Sequence, residues 1–78
     1  IIARDEKMDL KSIQIRLREI IKDSQYTQRD IAKAIGVSAQ TVSKYMKKNV
    51  FPALDTLAKL CNLLEVSADY VLGLRDYI

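Results

Sequence analysis

Apolar residues return every three or four positions along nearly the whole chain, and no stretch alternates apolar with polar at a period of two. That periodicity belongs to helices buried on one face, and it excludes a sheet-based fold. Leu10, Ile13, Leu17, Ile20 and Ile21 mark a first helix. Asp9 is placed to cap its start, and its end is expected near Asp23-Ser24-Gln25. Thr27-Gln28-Arg29-Asp30 reads as a capping box with Asp in the place usual for Glu, so a second, short helix starts there. Ile31, Ala32 and Ile35 face inward on it, and Gly36 comes next, where a left-handed C-cap needs glycine.

Ser38 is placed to cap a third helix. Val42, Tyr45 and Met46 form its apolar side, and Gln40, Thr41, Ser43, Lys44 and Lys47 cover the rest. Pro52 disfavours helix at Phe51 and suits the entry to a fourth helix. Leu54, Leu57, Ala58, Leu60, Cys61 and Leu64 give that helix a broad apolar face. Ser67 caps a fifth, short helix holding Tyr70, Val71 and Leu72, and Gly73 ends it. The expected fold is all-α: five short helices joined by short loops, without repeat, linker or low-complexity stretch. A chain of 78 residues makes one domain. Residues 1–8 read as an N-terminal extension and residues 9–78 as the domain, with the second helix at 28–35 and the third at 39–47. The first residue is Ile, so the chain is expected to begin inside a longer or processed product.

Charge is uneven along this frame. Net charge is +1 over residues 1–26, +4 over 27–52 and −2 over 53–78. Arg29, Lys33, Lys44, Lys47 and Lys48 face a single acid, Asp30, in the middle third. That concentration suits a local polyanion footprint, and it suits a solvated lysine face equally well. No apolar run approaches the ~18 residues that cross a bilayer, and no signal peptide is visible, so the expected place is the cytoplasm. The lone Cys61 lies in the stripe Leu57 to Leu64, where a small buried residue fits, and one Cys cannot staple its own chain. There is no His, no Gly-rich phosphate loop and no metal-ligand cluster in the sequence. An enzyme is therefore disfavoured, and neither a metal nor a cofactor is expected.

The informative stretch is Thr27 to Lys48. Two short helices flank Gly36-Val37-Ser38. Gly36 reverses the chain with positive φ, Val37 packs under the turn, Ser38 caps the third helix, and small Ala32 lets the two helices approach. This is the build of a helix-turn-helix. A major groove roughly 12 Å wide admits one helix, and in such a unit the second helix enters it. The outward residues of the third helix suit that task. Gln40 can pair with adenine, Lys44 can donate to guanine acceptors, and Ala39 can touch a thymine methyl. Gln28 and the first amides of the second helix offer a phosphate grip. On these residues alone, duplex binding and a protein-interaction role both stay open. Tyr70, Tyr77 and Ile78 fit either a dimer patch or packing against a further segment. Tyr45 is expected to be partly buried against the fourth helix.

The run from Tyr26 to Lys44, YTQRDIAKAIGVSAQTVSK, resembles the Cro and phage-repressor family of bacterial regulators, also called the XRE family. Pro52, the Leu57–Leu60–Leu64 stripe and the run from Glu65 to Gly73 resemble that family's closing helices, so the likeness spans about Ile13 to Leu74. The resemblance implies a compact five-helix, lambda-repressor-like fold. It implies sequence-specific binding of double-stranded DNA as a homodimer at a palindromic operator, and most often repression. By position it implies base contacts from Ala39, Gln40 and Lys44. It implies sugar and phosphate contacts from Gln28, Ser38, Thr41, Ser43 and Lys47, with Lys48 adding phosphate attraction. Ala39 departs from members with Gln there, and its short reach shifts part of the expected specificity to DNA shape. Many members pair an Arg on the first helix with a Glu ending the third. Ile21 and Met46 stand at those positions, and they are expected to meet in the core and brace it without charge.

Overall fold

The computed structural model describes residues 9–74. Along them run α1 (Leu10–Lys22), α2 (Gln28–Ile35), α3 (Ala39–Lys47), α4 (Leu54–Leu64) and α5 (Ala68–Val71), and among the described residues there is no strand. The described residues are all-α, with five helices, as the apolar period requires.

Short side chains start most of these helices. The Asp9 carboxylate accepts from the Lys11 amide, the Thr27 hydroxyl from the Asp30 amide, and the Ser67 hydroxyl from the Asp69 amide. The Asp30 carboxylate in turn accepts from the Thr27 amide at 3.4 Å, so the capping box is complete with Asp in the Glu place. α4 lacks such a cap: Ala53 stands at its N-cap position and offers no side-chain bond. Pro52 therefore precedes the cap rather than sitting at the first helical position, and Phe51 before it is non-helical, as a residue preceding proline favours.

Two helices end in left-handed residues. Gly36 closes α2 at φ 78°, and its amide and that of Val37 both donate to the Ala32 carbonyl. Glu65 closes α4 at φ 57°, with the Val66 amide reaching back to the Cys61 carbonyl. A side chain at such a φ costs roughly 1–2 kcal/mol, so glycine is needed less strictly at α4 than the sequence rule suggests. α1 ends where expected, with Asp23 as its C-cap.

The core gathers Leu17, Ile20 and Ile21 of α1, Ile31, Ala32 and Ile35 of α2, Val42 and Tyr45 of α3, Leu57, Leu60 and Cys61 of α4, and Val71 of α5. Val37 and Met46 pack half-buried against it. Four residues depart from expectation. Leu10 and Leu54 are 64% and 84% exposed, and Ala58 is exposed as well. Leu10 and Leu54 each head their helix, where the first turn overhangs the core. Tyr45 is buried rather than half-buried, and its helix packs on α2 and α1. Burial pushes the Tyr45 and Cys61 acidities to higher pKa, which keeps both side chains protonated and neutral.

Candidate nucleic-acid interface

α2 and α3 are packed directly against each other across the three-residue turn Gly36-Val37-Ser38. Gly36 supplies the reversal, and Val37 turns its side chain into the core beneath it. Ser38 then starts α3. Its hydroxyl accepts from the Thr41 amide at 3.1 Å and lies 2.9 Å from the Thr41 hydroxyl. Whichever of the two hydroxyls donates to the other, the pair retains one spare proton for an acceptor outside the helix.

At about 100° per residue, α3 divides cleanly. Val42, Tyr45 and Met46 turn toward the core, Val42 and Tyr45 fully buried and Met46 half-buried. Ala39, Ser43, Lys47, Gln40 and Lys44 succeed one another around the opposite arc of about 140°. Of these, Ala39, Gln40, Lys44 and Lys47 are exposed and Ser43 is half-buried. Thr41 is half-buried at the edge, beside exposed Ser38. Lys48 lies just past the helix, an extended C-cap residue with its side chain exposed. The outer arc carries two cations and no acid, which gives it a uniform positive field.

Gln28 occupies the first position of α2 and is exposed. Its surroundings are less positive than a bare helix start. Asp30 sits in the same turn with its carboxylate on the Thr27 amide, so it offsets part of the positive helix terminus. Tyr70 is half-buried against the core, and Tyr77 and Ile78 lie outside the described residues.

The C-terminal end of α3 holds two residues that the apolar period did not single out. Gln14 of α1 is 6% exposed, and its amide Nε2 donates to the Lys48 carbonyl at 2.6 Å. Arg18, one turn along, donates from Nε to the Tyr45 carbonyl and from Nη2 to the Lys48 carbonyl, each at 3.2 Å. Both lone pairs of the Lys48 carbonyl are thus taken. A signal for Gln14 was present, since Gln14, Leu17 and Ile21 share one helical stripe and a buried amide needs a partner. Ile21 is buried and Met46 packs on the same cluster, so neither side chain stands out in solvent.

The model of the family described as Helix-turn-helix matches residues 17–71, from the core of α1 through α5. The chain belongs to the XRE-type helix-turn-helix family. It is 38% identical over 61 residues to the uncharacterized HTH-type transcriptional regulator YobD of Bacillus subtilis, covering 78% of this chain and 54% of that one. It is 40% identical over 58 residues to the HTH-type transcriptional regulator ImmR of the same organism, covering 74% and 46%. The chain thus spans about half the length of the curated relatives it matches. Its fold is similar to the solution structure of the SOS-response transcriptional repressor LexA from Eubacterium rectale. That likeness has TM-score 0.73 and 25% identity, and covers 88% of this chain and 73% of that one. As an XRE-type domain, the chain has the α2–turn–α3 unit of a family of DNA-binding transcription regulators. Among the described residues no group of side chains could hold a metal ion, and no helix is long and apolar enough to cross a membrane.

Proposed function

We propose that this chain is the operator-reading domain of a bacterial or phage transcriptional repressor, acting in the cytoplasm on double-stranded DNA. The observation that carries the reading is the outer arc of α3. It is exposed except at half-buried Ser43, free of acids, and follows directly on the Gly36 turn. With α3 in the major groove, Gln40 reads an adenine edge, Lys44 donates to guanine O6 or N7, and Ala39 meets a thymine methyl. Ser38 and Thr41 offer their spare hydroxyl proton to the backbone at the groove's edge. Ser43, Lys47 and Lys48 continue that backbone contact, and Gln28 grips a phosphate from the start of α2. The names of ImmR and of the LexA repressor support a regulatory role for the longer protein.

One α3 presents few base-reading side chains, and a second copy on a palindromic site doubles the readout. In-vitro selection of bound duplexes tests this reading. The expected result is a two-fold symmetric site whose half-sites lie about 34–36 Å apart, one helical turn. An unselective pool, with affinity insensitive to salt, would instead indicate a protein-interaction module.

A further inference from the structure

α3 ends without the device that closes α2. No glycine succeeds it and Lys48 at its C-cap is extended; the Lys48 amide still donates to the Lys44 carbonyl, but the Tyr45 and Lys48 carbonyls accept from side chains of α1. The partners there are Gln14 and Arg18, which lie 27 to 34 positions earlier in the sequence. Gln14 is nearly fully buried, so its amide has a fixed direction and no water to exchange with. Arg18 is half-buried, and its planar fork spans two carbonyls of one helix end. A cation at a helix C-terminus is also favoured by the helix dipole. Lys44, Lys47 and Lys48 are the cations on this stretch, and the carbonyls that the two side chains grip, those of Tyr45 and Lys48, lie among them.

We infer that Gln14 and Arg18 are positioning residues for DNA reading. They latch the end of α3 to α1, fixing the depth and tilt at which Lys44 meets the base edges while Lys47 and Lys48 meet the phosphates. The inference rests on the proposed DNA-reading function. It assigns to these two side chains the bracing that Ile21 and Met46, both apolar, can supply only by packing. Arg18 places two of its five N–H donors on protein carbonyls, and the role inferred for it runs through α3 rather than through a phosphate.

The test uses Arg18→Met, Arg18→Lys and Gln14→Leu in the full chain. Each is measured on a selected duplex and on a random duplex over a salt series, with circular dichroism melting and amide exchange of the free protein alongside. The parent is measured first: a parent that does not discriminate between the duplexes sinks the functional reading, and this inference with it. With a discriminating parent, each variant is expected to weaken the selected duplex by about tenfold, the worth of one base contact, and the random duplex by less than about twofold. The salt slope is expected to stay unchanged, and the amides of residues 45–50 to exchange faster while α2 and α4 keep their protection. Arg18→Lys keeps the charge but cannot span both carbonyls, so it is expected to fail as Arg18→Met does. Recovery of the selected duplex by Arg18→Lys would overturn the inference. So would a salt slope lowered by about 0.9 with equal loss on both duplexes, because Arg18 would then be a phosphate contact. Unchanged exchange at residues 45–50 would overturn it as well, whatever the DNA result.

Discussion

The two ends of α3 are held by different kinds of chemistry. The first end is local: Gly36 turns the chain, Val37 anchors it, and Ser38 caps an amide three residues away. The last end is remote: its Tyr45 and Lys48 carbonyls are met by α1 side chains from 27 to 34 positions upstream. Local chemistry decides where the helix begins, whereas tertiary packing decides where it is held at its end. A helix that reads DNA needs both, because a rigid start with a loose end leaves Lys44 and Lys47 swinging about a fixed Gln40. The nine residues of α3 separate the two ends by about 13 Å, far enough to perturb one without the other.

The platform beneath the remote end is the most damaging place to strike. Leu17 is 1% exposed and lies between Gln14 and Arg18 on α1. Leu17→Ala is expected to cost about 2–5 kcal/mol in denaturant unfolding, from lost transfer energy and the cavity left behind. A cost below about 1 kcal/mol would mean that the site collapses readily and that α1 is a poor platform for the latch. The local end comes next. Gly36 has φ 78°, and an added Cβ would meet nothing within 4 Å, so Gly36→Ala isolates backbone strain from crowding. The expected cost is about 1–2 kcal/mol, read from the same unfolding curves, and a neutral result would show that the turn relaxes. The smallest effect belongs to the cap. Ser38→Ala is expected to cost about 1 kcal/mol and Ser38→Gly only a few tenths. Exchange should quicken at the first turn of α3 and not at residues 45–50. Combined with Gln14→Leu, the Ser38→Ala cost should add within about 0.5 kcal/mol, and a larger coupling would break the claim that the ends are held separately.

What could be read from the chain divides along the same line. Asp9, Thr27 with Asp30, Gly36, Ser38 and Ser67 act within a few residues of themselves, and their roles come from spacing alone. The outer arc of α3 was legible too, as the complement of Val42, Tyr45 and Met46. Leu10 and Leu54 misled, because a helical stripe says which way a residue faces and not how far the core extends beneath it. Glu65 was hidden because its left-handed φ is imposed by the chain's return into α5, not announced by glycine. The helical stripe marks Gln14 as buried, but the partners of Gln14 and Arg18 were hidden for a different reason: a polar side chain shows its partner only once α3 has been laid against α1. The individual roles of Gln28, Ser38, Thr41, Ser43, Lys47 and Lys48 depend on how the domain docks, which involves the duplex as much as the chain.

The central claim is that the outer arc of α3 reads base edges. Its most direct measurement is the ratio of affinities for a selected and a random duplex, compared between the parent, Gln40→Ala and Lys44→Ala at one salt concentration. Each substitution is expected to lower that ratio by roughly 5- to 150-fold, the worth of a base contact at about 1–3 kcal/mol, while binding to random duplex changes little. Equal losses on both duplexes, leaving the ratio where it was, would contradict it.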